Sequence, residues 1–326
     1  WALLGPYSRQ WPLTKVLDIG GVAYRPSFAT DGDVEVPPIP AHVHPGYVKD
    51  GRCCMREGKL EAYFFPPVDS TTVYDGKVEN PDKVITRLGL RPDVSREELR
   101  EALNGFGKDD AVYKLMQTYS IIPNTSWTIQ PGMMHAPGPW PTFEIQRAQD
   151  DAHLLAWKLG QPVKDHKVLS KIWSNNFAKG LPDADAVLRE TVHFEGSRDP
   201  KFMEKWFRPC EPVESSWGRR RRIFHHEFDG EGFEILPGQS YERPGGEEPY
   251  AALVWSGKGE VCAVQSDREF RPFTVEALTE FNSEFLVTPK TTVRITNTSK
   301  LDLLYVYTVL PISTKSWFVA PEDWVS

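Results

Sequence analysis

Four residues could do chemistry together. His42 and His44 stand one residue apart in AHVHPGY, Glu61 follows in KLEAYFF, and His135 follows a Pro131–Gly132 turn in PGMMHAPG. In an extended strand, residues two apart point the same way, so both early imidazoles would share a face. Glu61 interrupts an apolar run, where an ionised carboxylate is costly unless something pairs with it. Three imidazoles and one carboxylate converging inside a barrel make a site for a divalent metal, which would offset that cost. Zinc heads the candidates; Fe, Mn, Ni and Cu also suit this donor set. His153, His166, His193, His225 and His226 lack such company and read as structural or surface residues.

These residues must be positioned by strands. The 326-residue chain carries 28 prolines and 24 glycines spread along its length, which favours short strands joined by turns. SREELREALNGF is the clearest helix, with Ser95 and Glu98 as a capping box and Leu99, Ala102 and Leu103 as an apolar stripe. DDAVYKLMQTY is expected to continue as a second helix, and DADAVLRETV as a short third. KVLDIGGVAYRPSF reads as strands near the start. From residue 221 turn signals recur roughly every ten residues, as in an all-β sandwich or barrel. The expected architecture is therefore all-β: two barrels, the first with a helical insertion at about 95–118. The expected boundaries are 1–160 for the first barrel, 161–220 for a polar connecting segment, and 221–326 for the second barrel.

Composition bounds the function. A formal charge of -7 gives no reason to expect nucleic acid or an anionic membrane as partner. No run of about 18 apolar residues predicts a membrane span. Four cysteines without a CxxC pair (Cys53, Cys54, Cys210 and Cys262) suggest free thiols and a cytoplasmic location. The sequence opens on Trp1 rather than Met, and no leader pattern is read in it.

The order HxH, E, PG, H resembles the cupin superfamily, whose jelly-roll β-barrels bind metals in this way. HVHP, GKLEAYFF, IQPGMMHAPG and FEIQRAQD are similar to motifs of the type I phosphomannose isomerases, and the helices between them resemble that family's insertion. The likeness covers residues 35 to 160 well and extends loosely to a second cupin barrel. It implies His44, Glu61 and His135 as metal ligands and Lys59 as a pocket residue. Position 42 departs, with His in place of the family's usual Gln. The departure completes the three-His, one-Glu set of other cupins. The family's arginine after EIQ is also missing: Asp150 is in register, but Leu154 and Gly160–Gln161 occupy the arginine positions. Arg147, His153 and Lys158 are the nearby candidates.

The resemblance implies a metal-dependent aldose–ketose isomerase acting on a sugar or sugar phosphate, with a possible homodimer. Such chemistry needs a group to hold the carbonyl and hydroxyl oxygens, a base, and stabilisation of the enediolate. Candidate bases are Lys59, with a pKa lowered by a cation and burial, a hydroxide at the metal, or Glu61 itself. Arg56 and Lys49 could help grip a phosphate, whereas Arg219 to Arg222 read as a solvated edge. Trp127, Trp140 and Tyr63 flank the motifs and read mainly as barrel packing. The second barrel has no HxH…E…H set and is expected to be metal-free, structural or at the pocket rim. Two rival classes stand beside the isomerase: a dioxygenase or lyase, and a non-catalytic carbohydrate-binding cupin.

Overall fold

The structure is a computed structural model. It describes residues 40–46, 58–67, 85–106, 111–147 (less 139 and 141), 152–156 and 181–310 (less 182, 266–267, 278 and 280–281). It also gives the backbone of the short strands at 2–4, 30–31, 34–35, 48–49 and 52–53. The sequence expectations placed on KVLDIGGVAYRPSF, Arg56, Cys54, Asp150, Lys158, Gly160–Gln161 and His166, and on the side chains of Lys49 and Cys53, lie outside the described residues.

Two strand-rich halves account for most of the described chain. In the first, a four-stranded sheet runs in the order Phe143–Gln146, Glu61–Phe65, Thr125–Ile129, Phe207–Pro209. A five-stranded sheet faces it: His153–Leu154, His42–Val43, His135–Ala136, Ile85–Leu90, Met116–Ser120. The second half pairs a seven-stranded sheet with a five-stranded one around an apolar interior that includes Phe233, Tyr250, Val261, Phe285, Val293 and Val306.

The strand Glu61–Phe65 shows why sequence alternation builds this arrangement. Tyr63 and Phe65 face inward with Leu88, Trp127, Ile129 and Met133. Leu60, Ala62 and Phe64 face outward, where they join Phe143 and Ile145 against Ile223, Phe224, Tyr305 and Tyr307 of the second half. Both faces are covered, so the strand reads as nearly continuous apolar sequence. Glu61, fully buried, is the exception on the inner face.

The helix Arg96–Asn104 forms where expected. Ser95 Oγ accepts from the Glu98 N–H, and the Glu98 carboxylate accepts from the Ser95 N–H. Leu99, Ala102 and Leu103 then pack with Val43, Leu90 and the helix Ala184–Thr191 on the outer face of the five-stranded sheet. The expected second helix is shorter. It ends at Leu115, and Met116–Ser120 is a strand paired antiparallel to Ile85–Leu90. Its alternation explains the change: Met116 joins the helix-covered cluster and Tyr119 packs against the inner one, so pairing on the sheet edge overrides helical periodicity.

The segment 181–220 is built into both halves. The Ala184–Thr191 helix packs on the first, Phe207–Pro209 completes the first half's four-stranded sheet, and Val213–Ser215 pairs with Gly218–Phe224 in the second half's seven-stranded sheet. Arg219, Arg220 and Arg222 are exposed and matched by Glu214, Glu231 and Asp229, as a solvated edge would be. Arg221 differs: it is buried and paired with Glu234. Cys210 and Cys262 are buried, and among the described residues neither forms a disulfide. Among the described residues, no helix is long and apolar enough to cross a membrane.

Candidate metal centre

The two sheets of the first half bring His42, His44, Glu61 and His135 to one point. His135 stands directly opposite His42 across the antiparallel pair between their strands. The ring centroids lie 4.0 Å apart, and those of His42 and His44 lie 4.8 Å apart. One ring nitrogen from each of the three histidines falls within 4.8 Å of the others. Glu61 comes from the opposing sheet and completes the group, with Oε1 2.9 Å from His135 Nε2 and Oε2 3.5 Å from His44 Nε2.

Backbone contacts set the ring orientations. Nδ1 of His42 lies 2.8 Å from the Pro40 carbonyl, and Nδ1 of His135 lies 2.9 Å from the Met133 carbonyl. A carbonyl oxygen only accepts, so each Nδ1 carries a proton, and in the neutral ring each Nε2 then presents a lone pair. His135 Nε2 thus faces a carboxylate oxygen at 2.9 Å, a buried approach of two polar atoms that needs a cation or a proton to satisfy it. With the ring neutral, two lone pairs so close repel unless a cation lies between. Donors each about 2.1 Å from one cation sit about 3.0 Å apart at right angles and about 3.4 Å apart at the tetrahedral angle. The Glu61–imidazole spacings fit that pattern, so the residues present suit a divalent metal. Pinned Nδ1 groups are also the usual outer support of metal-bound histidines.

A second group of polar residues adjoins the first. Lys59 Nζ lies 2.7 Å from Glu61 Oε2, donates to Gln146 Oε1 at 2.7 Å, and reaches Glu144 Oε1 at 3.3 Å. Register explains the cluster. Gln146 pairs with Glu61 and Glu144 with Tyr63 across adjacent strands, so both side chains share the Glu61 face. Tyr63 Oη donates to Glu61 Oε1 at 2.6 Å.

Burial would raise Glu61, but His135, His44 and Lys59 hold its carboxyl well below the usual range. Burial, then His135 and His44, hold His42 well below the ordinary imidazole value. Burial works against a charged Lys59, yet Glu61 and Glu144 raise it. Without a cation beside it, the two carboxylates thus favour the ammonium form of Lys59. Glu144 is pushed up to about 8 by burial and by the Glu61 carboxylate.

Other candidates lie elsewhere. His153 is fully buried but pairs with Val43, whose side chain belongs to the outer, helix-covered core. His193 caps a helical turn, its Nδ1 accepting from the Gly196 N–H at 2.7 Å. His225 and His226 do not continue a strand: Gly218–Phe224 ends before them, and His226 takes φ 64° in the following turn. Arg147 points away from the centre and pairs with Glu227 of the second half. Trp127 and Trp140 are buried packing residues, the latter donating to the Pro66 carbonyl. Glu144, Gln146 and the Tyr63 hydroxyl were not singled out from sequence as site groups. The alternation in FEIQ was the available signal, since it places Glu144 and Gln146 on one face and Phe143 and Ile145 on the other.

No protein-family profile matches the sequence, and no curated protein matches it. Solved structures do. A mannosephosphate isomerase candidate from Archaeoglobus fulgidus aligns at 14% identity and TM-score 0.52, over 84% of this chain and 68% of that one. The mannose 6-phosphate isomerase from Bacillus subtilis aligns at 16% and 0.43, over 83% and 71%. Oxalate decarboxylase from the same organism aligns at 10% and 0.42, over 84% and 64%. Likeness at such identities is likeness of fold: the chain is a two-barrel protein of the cupin fold, with three histidines in its first barrel that could hold a metal ion.

Proposed function

We propose that the protein is a metal-dependent enzyme that isomerises a sugar between its aldose and ketose forms. The observation that carries this reading is the juxtaposition of a three-imidazole, one-carboxylate centre with the Lys59–Glu144–Gln146 cluster on the same barrel face. A divalent cation bound at His42, His44, Glu61 and His135 would supply a Lewis acid for the substrate's oxygens. The remaining steps fall to the chain. The reaction removes a proton from the hydroxyl-bearing carbon beside the carbonyl and returns one to the former carbonyl carbon. A hydroxyl proton crosses between the two oxygens, so no redox partner is needed.

Glu144 is the group best placed to carry the carbon-bound proton, because Glu61 is engaged through both oxygens. Lys59 serves as a hydrogen-bond donor to the oxygen on which negative charge develops, a role suited to a protonated amine. Gln146 holds the Lys59 ammonium in place. The substrate class, an open-chain sugar or its phosphate, follows from the resemblance of the HVHP, GKLEAYFF and EIQ stretches.

One observation favours a second reading. His42, 4.0 Å from His135, supplies a third imidazole where the resembling isomerases usually have Gln. Three imidazoles and a carboxylate also suit an oxygenase or a lyase. Metal analysis followed by a panel of aldoses, ketoses and their phosphates in deuterated water decides between them. Deuterium at the carbon beside the carbonyl, under anaerobic conditions, supports the isomerase. Bound iron with oxygen uptake and no exchange overturns it, and sugar binding without turnover points to a non-catalytic protein.

A further inference from the structure

We propose that Tyr63 is a positioning residue that fixes the plane of the Glu61 carboxylate and thereby sets how tightly the centre holds its metal. The inference rests on the metal-site reading above and concerns a residue that reading does not use.

Glu61 and Tyr63 lie two apart in one strand and so share the inner face of the barrel. Tyr63 is fully buried, and its hydroxyl donates to Glu61 Oε1 at 2.6 Å. Trp127 and Glu144 flank it in register on the two adjacent strands and leave the ring little freedom. The ring also meets His135 edge-on, with centroids 6.4 Å apart. Lys59 Nζ sits 2.7 Å from the other carboxylate oxygen. Oε1 of Glu61 therefore accepts from the Tyr63 hydroxyl while Oε2 is ion-paired with Lys59, and Oε1 faces His135 and Oε2 faces His44. A hydroxyl donor on one oxygen and an ammonium beside the other define the plane of the group. Without the hydroxyl, Lys59 alone would act on the carboxylate, from the Oε2 side, and nothing would oppose rotation of Oε1 away from His135. Hydrogen-bonded supports of metal ligands are commonly worth 10- to 100-fold in affinity, by about the same reasoning.

The test is Tyr63→Phe, which keeps the ring and removes only the hydroxyl. Co2+ is titrated into apo protein, with affinity and visible d–d bands as readouts and thermal melting as the control for folding. The expected result is a Co2+ affinity lower by about 10- to 100-fold and displaced bands, with the melting temperature nearly kept. Wild-type affinity and wild-type bands in Y63F overturn the proposal. His135→Ala is measured in parallel: full Co2+ binding there would overturn the metal site itself, a failure distinct from that of Tyr63. Should Y63F not fold, replacement of tyrosine by 3-fluorotyrosine makes the same phenol a stronger donor. Shifted Co2+ bands then support the proposal, and unshifted bands overturn it.

Discussion

His135 and His42 face each other across one antiparallel strand pair, and each pins its Nδ1 to a backbone carbonyl two residues before it in the chain. The carbonyls are those of Met133 and Pro40. The same device on two strands turns both rings toward the cluster, with His135 Nε2 2.9 Å from Glu61 Oε1 and one nitrogen of each ring within 4.8 Å of the other. His135→Ala and Glu61→Gln should each lower metal affinity by roughly 100-fold or more, because losing a ligand exceeds losing its support. His153→Ala should leave it unchanged, since His153 faces the helix-covered side of the sheet. Metal content of the three purified variants checks this, and equal content would remove the assignment.

Gly58 should be intolerant of any side chain. A Cβ there would stand 2.4 Å from the His44 carbonyl oxygen and 2.6 Å from Pro131 Cβ. The first contact is with backbone, so the chain around His44 or the Pro131–Gly132 turn must move. Gly132 N–H already donates to the His44 carbonyl at 3.1 Å, which ties the two segments together. Gly58→Ala should cost about 1 to 3 kcal/mol of stability and weaken metal binding together. Chemical denaturation and metal titration read the two effects, and a variant with wild-type values in both would show that the approach is looser than drawn.

Much of the centre was legible because strand chemistry has period two. HVH and KLEAY declare which residues share a face, and a carboxylate within an apolar strand declares that something must offset its burial. The Ser95–Glu98 box marked its helix for a similar reason: the signal is local and closes over four residues. The strand Met116–Ser120 was not legible, because its partner Ile85–Leu90 lies far away in sequence and only that pairing decides its state. Glu144 and Gln146 were visible as one strand face, but their distance from Lys59 depends on register with Glu61–Phe65, which sequence does not give. The carboxylates around Lys59 were hidden in the same way: Glu61 and Glu144 come from two strands.

Glu144→Gln separates metal binding from proton transfer. The amide keeps the size of the side chain but cannot carry the proton, so deuterium exchange into an active sugar should fall by about 10²- to 10⁴-fold. Metal content should largely hold, because Glu144 contacts Lys59 and the Glu61 carboxylate but no imidazole. Lys59→Met should also lower exchange, with loss of the oxyanion donor. Wild-type exchange in E144Q would move the base elsewhere.

Acid should weaken the protein through His225. Burial, then Arg222, His226 and Arg208, hold this imidazole down to about 4, against an unperturbed value of about 6.5; Asp229 opposes them. A depressed histidine pKa means that the unfolded chain takes up the proton first. Stability is then flat above about pH 6.5 and declines as pH falls toward 4. His225→Asn should flatten part of that decline in melting temperature without altering the plateau near pH 8. An unchanged slope would place the acid sensitivity in other groups, such as His226, which is lowered by burial and by Arg208.

The two barrels should unfold together. Phe143 comes from the first and stacks against Tyr307 of the second with centroids 5.5 Å apart, while Phe224 lies 5.4 Å away. Phe64 meets the same Tyr307 edge-on at 5.2 Å, and Arg147 pairs with Glu227 beside them. The outer face of the Glu61 strand is thus the inner wall of a core shared by both halves. Phe143→Ala should cost about 3 to 5 kcal/mol, as truncation of a fully buried aromatic does. The loss should appear as one calorimetric transition at lower temperature, because neither half can expose this wall without opening the other. Two resolved transitions, with only the first barrel shifted, would show that the halves fold as independent units and that the second does not brace the strand carrying Lys59 and Glu61.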